Sequence, residues 1–346
     1  MKKKSTFREL ARLAQVSPST VSRVVSGSAR VDREIEARVR DAAARLGIDL
    51  NRAGKSRIIV YLLGNRELLH PFQSRILAGA EEYCTAQGWE LLFLSFHSSA
   101  GATAGQIQLP QILSRRSTVR GVILGGTNPA GLLLALQECG LPFSVLGNNV
   151  LSEWDPTRYD VVSSDDTEGA RAMTNHLIAQ GHRHIWYIGD QRFPWFARCH
   201  RGYCGAMADA GLEPHSSNVR SDGQELGYLG TKSALASGEP VTAIFAGHDE
   251  VAHGVYTALR DAGIQVPDEI SVAGFNDTEG RLLHPALTTV REFPEEIGRH
   301  MAELVTTRIA NPALPPRQIS IATQLVRRES VARCTAPVPE PHVSPA

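Results

Sequence analysis

The sequence predicts an α/β protein in which a small helical head precedes a larger body of parallel sheets covered by helices. Three observations carry this reading. At 346 residues the chain is long for one compact domain, so two or three folded units are expected. From "RIIVYLLGN" (residues 57–65) onward, short β-rich apolar runs alternate with helix-period stretches, and such alternation builds parallel sheets. The first 50 residues contain no such runs and place their apolar side chains at helical spacing instead.

In the head, Leu10, Ala11 and Ala14 share one helical face, and Thr6 is placed to cap a helix starting near Phe7. Gln15 and Val16 then make a tight turn. Ser17 followed by Pro18 starts a second helix, because serine can cap and proline is preorganised for the first helical position. This helix runs to about Val25, with Val21 and either Val24 or Val25 facing inward, and Gly27 suits a left-handed stop. Asp32 caps a third helix reaching Leu46, with Ile35, Val39, Ala42 and Leu46 as its buried stripe and Gly47 closing it. Three short helices in this order make a helix-turn-helix. Its second helix, within "VSPSTVSRVVSG" (residues 16–27), turns hydroxyls and a guanidinium outward. Such a helix can enter a major groove, with hydroxyls on phosphates and Arg23 long enough to make a two-pronged contact with guanine.

Charge supports the same reading. The chain is neutral overall, yet residues 1–57 hold 14 Lys/Arg against 6 Asp/Glu, a net of +8 balanced by −8 in the remainder. A basic head on an acidic body is the electrostatic footprint of a nucleic-acid-binding module, and its apolar periodicity distinguishes it from a solvated tail.

In the body, strands are expected at 58–63, 90–96, 121–124, 143–146, 160–163, 184–188, 243–246 and 271–274. Helices are expected at 74–87, 167–180, 204–210, 251–262 and 294–309. Ligands of such folds gather at the carboxyl ends of the strands. The segment after Arg333 is proline-rich and expected to be disordered. No apolar run approaches a membrane span and "MKKKSTFREL" lacks an apolar signal core, so a cytoplasmic protein with no membrane partner is expected. The five cysteines are odd in number and scattered, which argues against a disulfide framework. Cys199 and Cys204 flank His200 without a second ligand pair, so packing rather than metal binding is expected there.

The head stretch "FRELARLAQVSPSTVSRVVSGSARVDREIEARVRDAAARLG" resembles the headpiece of the LacI/GalR transcriptional regulators. The likeness extends through "HPFQSRILAGAEEYCTAQGWELL", "VSSDDTEGARAMTNHLIAQGHRHIWYIG" and "TAIFAGHDEVAHGVYTALRDAGIQVPDEISVAGFNDTE" to "HPALTTVREFPEEIGRHMAELV", covering about residues 5–331. The resemblance implies a headpiece over residues 1–50, a linker over 51–57, and a two-lobed periplasmic-binding-protein-like core over 58–332. The core is expected to clamp a small polar effector, a sugar or related metabolite, and to form a homodimer on double-stranded operator DNA. The chain would cross between lobes three times. By the same resemblance, Pro18, Ser19 and Arg23 sit where the family reads bases, and Thr6, Ser17, Thr20 and Ser22 where it grips phosphates.

Effector contacts carry over only where the motif does. Phe72 and Gln73 stand where the first lobe meets ligand. Asn276 replaces a common aspartate, keeping donor and acceptor without the charge. His248 replaces an asparagine before Asp249, which would make a pH-sensitive contact. The family arginine three residues before the glycine of "RGY" is Cys199 here, so Arg198, one residue earlier, is assigned that role. Trp195, in "FPWF", could stack on a sugar ring. The linker also departs from the family. Asn51 is followed by only "RAGKS" before the first strand, about five residues short, with no counterpart to the leucine that relatives wedge into the minor groove.

Two other functions compete. "RGVILGGTNPAG" is glycine-rich after a strand but fits neither a dinucleotide fingerprint nor a Walker loop, and no nucleophile elbow or HExxH helix is present. Neither an enzyme nor a cofactor or metal is therefore expected. A solute-binding protein would suit the body but leaves the basic head without a purpose.

Overall fold

Strands and helices form in the order the hydrophobic periods dictate, and the second lobe is inserted between parts of the first. The computed structural model describes residues 3–26, 31–46, 57–67, 70–115 and 118–334. The helix stops at Gly27 and Gly47, linker residues 51–56 and the tail from residue 335 lie outside the described residues.

The head comprises α1 (Lys3–Ala14), α2 (Pro18–Ser26) and α3 (Arg33–Arg45). They bury Leu10, Ala11, Ala14, Val21, Val39, Ala42 and Ala43 in one core, with Val16, Val24 and Leu46 packed against it. Ile35 and Leu46 of the expected stripe are only half-buried, and Ala43 takes a core place instead. Helix α1 begins at Lys3, so Thr6 lies within its first turns rather than at an N-cap. Nothing between Lys3 and Phe7 breaks a helix, since neither glycine nor proline occurs there. The Ser–Pro start of α2 forms as the residues require, the Thr20 amide donating to Ser17 Oγ at 3.0 Å. Asp32 caps α3 by accepting from the Glu34 amide at 2.8 Å.

The turn between α1 and α2 is held from α3. Gln15 takes a left-handed φ of 53°. Arg38 donates to the Ala14 carbonyl through Nε and Nη2 at 3.1 and 2.6 Å, and to the Gln15 carbonyl at 2.9 Å. These bonds satisfy carbonyls that a helix C-terminus leaves unpaired.

The first lobe runs through β1 (Ile58–Gly64), α4 (Pro71–Ala86), β2 (Glu90–Phe96), β3 (Val119–Gly126), β4 (Asn128–Pro129), α5 (Ala130–Cys139), β5 (Phe143–Leu146), β6 (Val150–Leu151) and β7 (Asp160–Ser164). The second holds α6 (Asp166–Ala179), β8 (Ile185–Ile188), α7 (Pro194–Asp209), β9 (His215–Ser216), α8 (Gly223–Ala236), β10 (Ala243–Ala246), α9 (Asp249–Asp261), β11 (Ser271–Asn276) and β12 (Thr288–Arg291). The chain then returns to the first lobe with α10 (Pro294–Ala310) and β13 (Gln318–Ile321) before β14 (Gln324–Val326) completes the second. The two six-stranded sheets have the orders β13-β7-β5-β3-β1-β2 and β14-β12-β11-β10-β8-β9. All of their pairings are parallel except β12–β14. Helices on both faces leave β1 buried over nearly its whole length, which is why "IIVYLLG" reads as a continuous apolar run rather than an alternation.

The chain crosses between lobes three times, at residues 164–166, 291–294 and 321–324. The first and third crossings are tied by the Asp165 amide donating to the Ile321 carbonyl at 2.9 Å.

Two helices escape the periodicity argument. Helix α5, "AGLLLALQEC", is apolar on most sides and shows no polar face. Helix α8, "GQELGYLGTKSALA", carries glycines that read as breakers. They serve packing: a Cβ at Gly227 would strike the Val251 carbonyl, and one at Gly254 the Gln224 carbonyl, so α8 and α9 lie backbone to backbone. Helix α7 starts ten residues before the expected Cys204, because Pro194 occupies a position at which proline favours helix initiation. Among the described residues, no helix is long and apolar enough to cross a membrane.

Candidate functional site

The head presents a polar face built by α2. Val21 is buried while Ser17, Pro18, Ser19, Ser22 and Arg23 are exposed and Thr20 is half-exposed. The hydroxyls are organised among themselves: Ser17 Oγ lies 2.7 Å from Ser19 Oγ and 2.8 Å from Thr20 Oγ1. The side chain of Thr6 is outside the described residues.

The second feature is a cleft between the lobes, lined by residues of both. It lies where parallel sheets concentrate function, at the carboxyl ends of the strands. Of the six side chains expected there, the structure brings Phe72, Gln73, Trp195, His248 and Asn276 to its wall. Phe72 and Gln73 come from the first turn of α4, which Pro71 opens. Gln73 is buried, and its Oε1 accepts from the Gly126 amide at 3.1 Å, which fixes the carboxamide. Asn276 ends β11 at a left-handed φ of 89° and lines the cleft, its Oδ1 accepting from Thr278 Oγ1 at 3.0 Å.

Arg198 is not brought to that wall. Cys199 lines the cleft, and Arg198 lies in a second recess with Gly147, Ser163 and Ser320. Its Nε and Nη2 donate to Asp166 Oδ2 at 2.9 and 2.8 Å. Asp166, at the first crossing, also accepts from Asn148 Nδ2 at 2.8 Å, while its buried Oδ1 has no partner. Helical geometry explains the exchange: successive residues point about 100° apart, so only one of Cys199 and Arg198 can face the cleft.

Trp195 sits in an aromatic group. Phe193 stacks on it at 4.9 Å between centroids, and His248 lies nearly parallel to it at 6.4 Å and against Phe196 at 4.8 Å. From the other lobe, the Arg66 guanidinium lies 4.4 Å from the Trp195 ring centre. The same side chain donates through Nε to Thr127 Oγ1 at 3.0 Å. The aromatic surface assigned to a sugar ring is therefore covered by the protein's own cation, and Arg66 bridges the lobes.

Burial decides the protonation states. The His248 ring is packed densely enough to hold its pKa at about 3, with the neighbouring His70, Arg66 and Arg198 adding to the effect. It therefore stays neutral throughout the physiological range, which corrects the expectation of a pH-sensitive contact. Glu292, at the second crossing, is pushed well above the usual carboxylate range by burial first and by the charge of Asp166 second.

Arg66, Asn148, Asp166, Asp222, Glu250 and Glu292 also line the cleft, and residue-type patterns did not single them out. Most stand one to three residues beyond a strand end: Arg66 after β1, Asn148 after β5, Asp166 after β7 and Glu292 after β12. The strand-end rule, applied to every expected strand, would have found Arg66, Asn148 and Asp166; Glu292 follows a strand, β12, that the sequence reading did not include.

Comparison with known proteins bears on both sites. Residues 6–48 match the family model for bacterial regulatory proteins of the lacI family, and residues 174–331 that for a periplasmic binding protein-like domain. The ribose operon repressor of Haemophilus influenzae is 30% identical across 94% of this chain and 98% of its own length. The HTH-type transcriptional regulator GntR of Escherichia coli is 28% identical across 94% and 98%. The solved structure of the transcriptional regulator CelR with cellobiose superposes with a TM-score of 0.68 at 26% identity, covering 94% of this chain and 99% of that one. Similarity that runs through the head, the cleft-bearing body and all three crossings is more than a shared fold, and the chain belongs to the lacI family of bacterial regulatory proteins.

Proposed function

We propose that this DNA-binding transcriptional regulator is a repressor whose operator affinity is set by a polyhydroxylated effector, a sugar or close relative, bound between its lobes. The observation that carries this reading is the cleft itself. It straddles both lobes and is lined by Asn276, Gln73 and Asp166 beside Phe72 and Phe275. Polar groups that point in several directions next to apolar rings match the alternating hydroxyl edges and C–H faces of a sugar. The relatives named for ribose and the structure holding cellobiose support the same chemical class.

On this reading two copies, each carrying one basic head, bind a pseudo-palindromic site with one α2 per half-site. Pro18, Ser19 and Arg23 face bases, and Thr6, Ser17, Thr20 and Ser22 face phosphates. The effector acts by changing how the lobes close and hence how the two heads are spaced.

The test has two parts. A thermal-shift screen against pentoses, hexoses and disaccharides identifies a binder, because a ligand of the native state raises the melting temperature with its saturation. Fluorescence anisotropy on an operator selected from random duplexes then measures affinity with and without that sugar. A change of about 5- to 150-fold is expected, the range of typical two-site coupling. Identical operator affinity at saturating sugar would refute the reading.

A further inference from the structure

The charges around the cleft restrict the effector further than its hydroxyl chemistry does. Arg66 is the cation on the wall, and it is already engaged: Nε is bonded to Thr127, and the guanidinium lies over Trp195. Two carboxylates, Asp222 and Glu250, line the same mouth and act electrostatically on Arg66, opposing the loss of basicity that its burial causes. Asp166 and Glu292 line the cleft as well, and Asp166 Oδ1 is buried with no hydrogen-bond partner among the described residues. Arg198 neutralises Asp166 from the far side but presents no N–H to the ligand, and the wall position ahead of it is the uncharged Cys199. An arriving anion would meet the carboxyl groups of Asp166, Asp222 and Glu250 and one arginine already held between Thr127 and Trp195. An arriving hydroxyl or ammonium group would meet a ready acceptor.

The occupant of the aromatic face points the same way. An indole face with two carboxylates at the same mouth is an arrangement that attracts cations. In this structure the protein supplies that cation itself.

We infer that the cleft selects uncharged or amino-bearing polyhydroxyl effectors and excludes their phosphorylated and carboxylated counterparts. This rests on the proposed function above and narrows it. Selection of this kind works by rejection. A phosphate placed beside the Asp166 carboxylate loses its hydration and meets a like charge, whereas a neutral hydroxyl is a group a carboxylate can accept from.

The experiment uses the full-length protein and matched probes: ribose with ribose 5-phosphate, glucose with glucose 6-phosphate and gluconate, glucosamine beside glucose, and cellobiose. Binding is read by calorimetric titration at low and at moderate salt. A neutral or amino member that binds at least about tenfold more tightly than its anionic partner is the expected result. A phosphate or carboxylate that binds more tightly than its neutral partner overturns the inference and leaves a polyhydroxyl effector standing. If no member of the panel binds, the proposed function fails, and this inference fails with it.

The variant D222N/E250Q separates charge from shape, because both side chains stand at the mouth rather than in the packed core. It should narrow the preference for the neutral member about three- to tenfold. The control E239Q removes one exposed carboxylate just after α8, outside the cleft, and should leave the preference as it was. An unchanged preference in D222N/E250Q, or a change of equal size in E239Q, would assign the discrimination to something other than these carboxylates.

Discussion

Replacing Asp249 with asparagine should remove a specific part of the protein's pH-dependent stability. Asp249 opens α9 directly behind the cleft and is completely buried. Its Oδ1 accepts from Thr289 Oγ1 at 2.7 Å, and its Oδ2 from the Gly280 and Glu279 amides at 2.9 and 3.2 Å. It thus ties the helix to β12 and to the turn that follows Asn276. Burial is the largest influence on it and raises its pKa from 3.8 to about 6, with the three hydrogen bonds opposing and the charge of Asp277 adding.

A carboxyl that titrates higher in the folded state than in the unfolded one keeps its proton longer on folding. Its penalty is therefore absent below about pH 4, grows between pH 4 and 6, and is complete above that window, where it reaches about 3 kcal/mol. Between pH 4.5 and pH 7 the change is about 2 kcal/mol, because part of the penalty is already present at pH 4.5. Asparagine can keep the acceptor for the two amides and turn its NH₂ toward Thr289, whose hydroxyl can also accept. Urea unfolding of wild type and Asp249→Asn at both pH values isolates the effect, since Glu292 and every other titrating group is common to both proteins. The difference in unfolding free energy between the two should shift by about 2 kcal/mol in favour of the variant at pH 7. Parallel pH dependences for the two proteins would refute the assignment. Asp249→Ala instead leaves two amides and a hydroxyl without their acceptor and should destabilise at both pH values by about 2–4 kcal/mol.

Further predictions concern both ends of the chain. Arg23→Ala should cost about 1–3 kcal/mol on the specific operator and relax the preference at one base pair, whereas Thr20→Ala should weaken binding evenly across sequences; a selection experiment on each variant distinguishes the two. Arg38→Ala removes three hydrogen bonds to the Ala14 and Gln15 carbonyls and should loosen the α1–α2 turn by about 1–3 kcal/mol, lowering affinity for specific and nonspecific DNA alike in anisotropy titrations. Arg66→Ala breaks the bridge between Thr127 and Trp195 and should weaken effector binding about 10- to 30-fold by favouring the open cleft, measured by calorimetry. The linker over 51–57 offers no large apolar side chain to insert between base pairs, so a circular-permutation bending assay should show little central kink.

The alternation of strands and helices was legible because parallel strands, covered on both faces, must be apolar along their length, and their helices must be amphipathic. The caps at Ser17 and Asp32 were legible for a similar reason: capping is satisfied within three residues, so local sequence contains the whole interaction. The outward face of α2 follows from helical period alone. What failed locally failed where a distant partner overrides the residue's own tendency. The glycines of α8 read as breakers until α9 presses against them, and Arg38 means nothing without the carbonyls it reaches more than 20 residues earlier.

The cleft shows the same division. Phe72, Gln73, Trp195, His248 and Asn276 were found because each lies in a motif or at a strand end. Only the fold could decide between Arg198 and Cys199, because which of two adjacent helical residues faces the cleft depends on how α7 is rotated against the sheet. Protonation was equally beyond reach: a histidine next to an aspartate suggests titration near neutrality, but burial, with the charges of His70, Arg66 and Arg198 adding, holds His248 neutral. The contact between Arg66 and Trp195 joins side chains 129 positions apart on opposite lobes. A sequence determines which groups are available and which local structures they favour. Which of them meet, and in what charge state, is set by burial, and burial exists only once the two lobes are folded against each other.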